Sequence, residues 1–331
     1  MGWLRLLNLS GMVNDYLILG AILLLLLAAI LVYFRVANRY NIIDRPNERS
    51  SHKKITLRGG GVIFFFGVVL YMLFYGVHYP LFFTGLALIA FISFLDDIVK
   101  LKSRYRILIH FAAMLLMFYD CGFYGLPWFY TLIALVISTG IINAYNFMDG
   151  INGITGGYSL VVVGSLWFIN NCRFSFIDNN LLYVVALSLL VFNIFNFRPR
   201  ARCFAGDVGS VSIAFISLFI LGKLIVETGD FSYLIVLLIY GVDTVLTIVH
   251  RLMLRENIFR AHRKHMYQIM SNELHIPHTT VSLIYMTAQT LITAGYLLLP
   301  IQPLTYFLAT SILTGTIYII FISRNYHLHA G

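Results

Sequence analysis

Leu17-Ile18-Leu19-Gly20-Ala21-Ile22-Leu23-Leu24-Leu25-Leu26-Leu27-Ala28-Ala29-Ile30-Leu31-Val32 carries no charge and lies inside an apolar stretch running from residue 14 to 36. Crossing the hydrocarbon core of a bilayer takes about 20 apolar residues, so this stretch is long enough to span. It exceeds the roughly 7–15 residues of a signal-peptide core, and no clear basic lead or small-residue cleavage site flanks it. It reads as a retained membrane helix.

Ten more stretches of the same character follow, near 61–78, 80–95, 107–121, 127–145, 157–171, 180–196, 209–226, 231–250, 280–299 and 304–322. His78-Tyr79-Pro80 divides what would otherwise be one long segment, and Pro127 and Pro303 stand where a helix tolerates proline, at its start. The whole composition agrees. Of 331 residues, 60% are hydrophobic and 11% charged, against roughly 45–50% and about 25% in soluble domains. Water-soluble folds and disorder are both excluded. Three cysteines without a CxxC pair exclude a disulfide framework or a cysteine zinc site. A net charge of +9 would suggest nucleic acid in a soluble protein. In a membrane protein the placement of the charge matters more, and no nucleic-acid partner is expected.

With the N-terminus outside, the segments 35–60, 96–106, 197–208 and 251–279 and the C-terminal tail face the cytoplasm and hold 20 of the 23 Lys and Arg residues. Only Arg5, Arg173 and Lys223 fall elsewhere, which is the positive-inside pattern. The expected fold is an all-α polytopic membrane protein of about eleven transmembrane helices, N-terminus outside and C-terminus cytoplasmic. Residues 1–331 form a single integral-membrane domain without an internal repeat.

Four polar motifs gather on the cytoplasmic side of this topology, and acidic residues abutting apolar helices are expensive. Asp96-Asp97 is either a solvated helix end or a site for a hard cation such as Mg²⁺, with Lys100, Arg104 and Arg106 close behind. Asn146-Phe147-Met148-Asp149-Gly150-Ile151-Asn152-Gly153 offers amides that both donate and accept, on glycines that permit tight turns. Gly206-Asp207-Val208-Gly209-Ser210 is a helix N-terminus, which can be a plain cap or a phosphate site. His262-Arg263-Lys264-His265 is poor zinc evidence without a third ligand and a better pyrophosphate clamp. His110 reads as an interhelical hydrogen bond. Asp243, deep in the ninth stretch, is a functional residue or an equally plausible structural bond.

These motifs, with Asp44-Arg45-Pro46-Asn47, Ser51-His52 and Gly59-Gly60-Gly61, run in order along nearly the whole chain. They resemble the polyprenyl-phosphate N-acetylhexosamine-1-phosphate transferase family, whose members start O-antigen, enterobacterial common antigen, teichoic acid linkage and peptidoglycan lipid intermediates. The resemblance implies a bacterial cytoplasmic-membrane enzyme with its active site at the cytoplasmic face. It would use Mg²⁺ (Mn²⁺ as the alternative) to transfer a HexNAc-1-phosphate from a UDP-N-acetylhexosamine to undecaprenyl phosphate, releasing UMP. By motif position it implies Asp207 as the main metal ligand and Asn146 as the second. Asp96 is implied as base or lipid-phosphate positioner, Asp97 as its support, and Asp149 as the central acidic position. Asn152 is implied at the uracil and Arg106 at a phosphate, while His262, Arg263 and His265 are expected at the diphosphate from their own basic, donor-rich cluster. Membrane lipids are further partners, and a homodimer is compatible with the family. The last loop lacks the tight triple histidine of the peptidoglycan branch and looks more like the branch acting on GlcNAc or 6-deoxy-HexNAc, so sugar choice is expected in 257–268. The rival readings are a transporter or lipid flippase, which would place polar residues at mid-membrane, and the phospho-MurNAc-pentapeptide transferase.

Overall fold

The computed structural model describes residues 2–44, 55–99, 101–257 and 263–325, with side chains from residue 14 onward. Among the described residues, each of the eleven expected stretches is a helix: α1 (Gly2–Arg39), α2 (Val62–Tyr75), α3 (Pro80–Val99), α4 (Ser103–Cys121), α5 (Trp128–Met148), α6 (Ile154–Cys172), α7 (Asn179–Asn196), α8 (Gly206–Thr228), α9 (Leu238–Met253), α10 (His278–Leu298) and α11 (Pro303–Arg324). Among the described residues eight segments are long and apolar enough to cross a membrane, the ninth stretch counted as Phe231–Met253. At 14 residues, α2 rises only about 21 Å, short of the ~30 Å core. α4 and α6 carry too many polar residues, among them Arg104, Arg106 and His110 on α4 and Asn170 and Asn171 on α6.

The bundle is built around α8, which packs against α2, α3, α4, α5 and α6. Of its apolar window 94% is buried, compared with 11% for α11, so α8 is the central helix and α11 a peripheral one. A helix apolar on all sides belongs inside. The small residues Gly209, Ser210, Ser212, Ala214 and Ser217 let neighbours approach α8 closely, as membrane helix contacts require.

Two departures from regular helices matter. The ninth stretch is not one α-helix: Phe231–Leu237 is a 3₁₀ segment that becomes α at Leu238. Such a switch strands main-chain groups at membrane depth, where each must find a partner. Gln289 supplies both, its amide donating to Ile235 O (2.8 Å) and its carbonyl accepting Ile239 N–H (3.1 Å). The fold is also not purely helical. Ile43–Asp44 (β1) and Thr56–Leu57 (β2) pair antiparallel, and Leu57 bridges in parallel to Cys203. This short ladder ties the end of α1 to the chain entering α8.

Candidate active site

The Gly59-Gly60-Gly61 turn and the start of α8 are packed backbone to backbone. Gly60 N donates to Phe204 O (2.8 Å) and Gly61 N to Ala205 O (3.1 Å). A Cβ on Gly61 would collide with the Gly209 main chain, and one on Gly206, whose φ is +72°, with Asp97 and the Gly59 main chain. Only glycine permits both the approach and the backbone conformation. The consequence is chemical: Arg58, immediately before the glycines, is delivered into the acidic cluster. Its Nε lies 2.6 Å from Asp97 Oδ1, and a terminal nitrogen 3.3 Å from Asp207 Oδ1.

Adjacent in sequence, Asp96 and Asp97 do different things. The Asp97 carboxylate is fully buried and accepts the main-chain N–H groups of Asp207 (3.0 Å) and Val208 (3.1 Å). The orphan donors at the start of α8 are thus capped by a residue 110 positions earlier. Asp96 accepts Leu101 N–H at 2.6 Å and pairs with Arg106 at 2.6 Å. Arg106 also reaches Asp207 Oδ2 at 3.3 Å. Asp207 therefore stands between two guanidiniums, one on each oxygen, while Asn146 donates from its amide to Asp207 Oδ1 (3.2 Å) and Ser210 Oγ (3.3 Å). Three carboxylates face two guanidiniums here, leaving a net negative charge. Asp207, Arg106 and Arg58 keep 17%, 26% and 31% of their side chains exposed, so the cluster opens on that side.

Asp149 follows the last residue of α5 and accepts the Thr155 hydroxyl at 2.7 Å. Burial pushes its carboxyl up to about 7, since a low-dielectric surrounding disfavours the ionised form. The turn behind it is held by Asn196, which accepts Gly153 N–H (2.8 Å) and donates to Cys203 O (2.9 Å), joining the second motif to the third. Asn152, expected at the uracil, is 5% exposed, and its amide donates to Arg198 O (3.0 Å) and Pro199 O (3.3 Å). As placed, it shapes the 197–202 loop.

The fourth motif joins the site from the other side. His262 lies outside the described residues. Lys264 and Arg251 both pair with Glu256, which folds the segment after α9 back on itself, and Arg263 is half-buried. His265, expected at a phosphate, is 2% exposed and turned inward, with Nδ1 3.2 Å from Asp243 Oδ1. It is an anchor of its loop rather than a group facing an open cleft. Tyr267 reaches the second motif, its hydroxyl donating to Phe147 O at 2.8 Å. Of the residues expected in the site, Asp96, Asp97, Asp207, Asn146 and Arg106 converge directly, and Asp149 and Asn152 sit in the adjoining turn. The sequence reading missed Arg58, Asn196 and Tyr267. Arg58 stands directly before three glycines, and Asn196 and Tyr267 lie in the stretches that carry the third and fourth motifs, but none of the three was given a role.

Among the described residues no group of three His, Cys, Asp or Glu side chains forms a metal cage. A cation that takes one or two carboxylates and fills its remaining positions with water and substrate phosphates does not need one. Asp207 with Asn146, and Asp96 beyond Arg106, are hard-oxygen donors of that kind.

This arrangement, a carboxylate cluster with two arginines at one end of an apolar bundle, defines an integral-membrane enzyme site suited to phosphate chemistry. The family model described as "Glycosyl transferase family 4" matches residues 79–225. The chain is 28% identical over 253 residues to a Bacillus subtilis protein named "Probable undecaprenyl-phosphate N-acetylglucosaminyl 1-phosphate transferase", covering 70% of each. It is 29% identical over 210 residues to the Escherichia coli undecaprenyl-phosphate alpha-N-acetylglucosaminyl 1-phosphate transferase, which is 56% of each chain. It is 30% identical over 250 residues to the phospho-N-acetylmuramoyl-pentapeptide-transferase of Thermotoga neapolitana, 67% of this chain and 78% of that one. The chain belongs to the polyprenyl-phosphate N-acetylhexosamine-1-phosphate transferases of glycosyl transferase family 4.

Proposed function

We propose that the protein transfers a HexNAc-1-phosphate, GlcNAc-1-phosphate or a 6-deoxy-HexNAc-1-phosphate, from a UDP-sugar to undecaprenyl phosphate. It would do so at the cytoplasmic face of a bacterial inner membrane. A lipid phosphate oxygen attacks the β-phosphorus, the bond from that phosphorus to the bridging oxygen breaks, and UMP leaves. The observation that carries this reading is the placement of Asp207 between Arg58 and Arg106 beside Asn146, since phosphoryl transfer needs positioning and charge neutralisation above all. Asp207 and Asn146 would hold Mg²⁺, which when bound neutralises diphosphate charge. Arg106, about a quarter exposed and paired with the less buried carboxylate Asp96, is the guanidinium that turns to a phosphate. Arg58 is braced on buried Asp97 and stays to hold Asp207. Asp96 positions the lipid phosphate. A phosphate monoester has its second pKa near 6, so the nucleophile is largely dianionic at neutral pH and a strong base is unnecessary.

An apolar groove of about 360 Å³ between α5, α9 and α11, lined by Ile141, Leu237, Val242, Leu246, Phe307 and Gly315, supports an isoprenoid acceptor. It begins little more than one turn of α5 from Asn146. The test is UMP release by the purified protein with undecaprenyl phosphate and a panel of donors: UDP-GlcNAc, UDP-6-deoxy-HexNAc and UDP-MurNAc-pentapeptide. Turnover with the first two is expected. Turnover with the pentapeptide donor alone would move the protein to the peptidoglycan branch, and release with none would refute the reading. If all eleven helices span and the N-terminus is outside, a reporter fused to the C-terminus should be active only in the cytoplasm.

A further inference from the structure

Asp243 is 2% exposed on α9, in a helix long and apolar enough to be a span. A buried carboxylate is costly unless well satisfied, and this one accepts from five groups. Tyr285 Oη on α10 donates at 2.6 Å, Thr247 Oγ1 and His265 Nδ1 lie at 3.2 Å, and the main-chain N–H groups of Met266 and Tyr267 lie at 3.0 and 3.4 Å. Three of the five belong to one short segment, 265–267, directly after the basic residues Arg263 and Lys264. Fixing main-chain N–H groups fixes the course of the chain, not merely a side chain.

From that segment the constraint passes on. The Tyr267 ring is fully buried and stacked on His265. Its hydroxyl holds Phe147 O at 2.8 Å, and its ring lies so close to Gly150 that any Cβ there would collide with it. Phe147 and Gly150 bracket Asp149. We propose that Asp243 is a positioning residue for the donor site. It holds the 263–267 loop against the bundle and, through Tyr267, sets the Phe147–Gly150 turn that carries Asp149. This rests on the transferase reading above for what the loop and turn contact, namely the UDP-sugar rather than the lipid.

The test uses the purified full-length protein with Asp243→Asn and Tyr267→Phe. Tyr267→Phe removes one hydrogen bond remote from Asp243 and keeps the ring, so it serves should Asp243→Asn fold poorly. Each variant is expected to raise KM for the UDP-sugar, Asp243→Asn by about tenfold, as losing one or two hydrogen bonds implies. KM for undecaprenyl phosphate should not change. The double variant should fall short of the product of the two effects, because both act along one path. A purely structural role lowers the active fraction and hence kcat with both KM values unchanged, and that result overturns the proposal. Hydrogen–deuterium exchange gives a reading independent of activity, should the wild type release no UMP at all. Asp243→Asn should speed exchange in 263–268 and 147–150 and leave 206–228 as in the wild type. Faster exchange throughout, or in neither segment, contradicts it.

Discussion

Asp97 Oδ1 accepts the main-chain N–H of Asp207 at 3.0 Å. The carboxylate that reads in the sequence as half of an Asp-Asp pair is the cap of the helix presenting the cluster's central carboxylate. Replacing Asp97 with Ala removes the cap, worth about 0.5–2 kcal/mol, and strands Arg58 without its closest partner. The expected outcome is a lower melting temperature in detergent together with loss of activity. Asp97→Asn keeps one acceptor and should lie between Ala and wild type in melting temperature. A stable but inactive Asp97→Ala protein would show that Asp97 acts in the chemistry and not through α8.

Arg58→Gln should reduce turnover more than Arg58→Lys, and both should melt below the wild type. The guanidinium reaches two carboxylates at once, a geometry an ammonium reproduces only in part. With 31% of the side chain exposed, water screens the loss, and about 1 kcal/mol is the scale expected for the lysine variant. Equal activity of both variants and wild type would remove Arg58 from the site.

Asp207→Asn should nearly abolish turnover while leaving the fold intact, because this side chain is partly open to water and an amide binds a hard cation poorly. A residual rate above about a tenth of wild type, a loss of only ~1.4 kcal/mol, is incompatible with a metal-holding role. Cation binding itself, followed by Mn²⁺ spectroscopy on the protein without substrates, should weaken in parallel.

Burial raises the Asp149 carboxyl to about 7, above its unfolded value of about 4. A raised carboxyl contributes stability that is complete below pH 4 and is lost as pH climbs through 7. Between pH 5 and 8 the wild type should therefore lose melting temperature relative to Asp149→Asn, which cannot ionise. The same ionisation should appear as a limb near pH 7 in wild-type kcat, missing in the variant. Parallel melting curves for the two proteins across this range would contradict the assignment.

The helices were readable because a membrane span is an unbroken apolar run, and each of the eleven runs became a helix. The 3₁₀ start of the ninth was not, because its stability comes from Gln289, a side chain on another helix. The approach of Asp96-Asp97, Asn146 and Asp207 to one another was readable because they end helices on one side of the expected topology. Their division of labour was not. Asp96 and Asp97 are neighbours of the same type, and only the packing of α3 against α8 decides which of them meets α8. His265 shows the same limit. His265 looks like a phosphate donor until Asp243, 22 residues earlier, draws it into the bundle.

Transfer of UDP-GlcNAc labelled with ³²P in the β-phosphate tests the central claim most directly. Purified protein, undecaprenyl phosphate and Mg²⁺ should move the label into the organic-extractable lipid in step with release of unlabelled UMP, and Asp207→Asn should do neither. Label leaving as UDP would mean that the sugar moves without its phosphate, and label staying in the donor would mean that the cluster does not act on UDP-sugars. Either result would contradict phosphosugar transfer at this site.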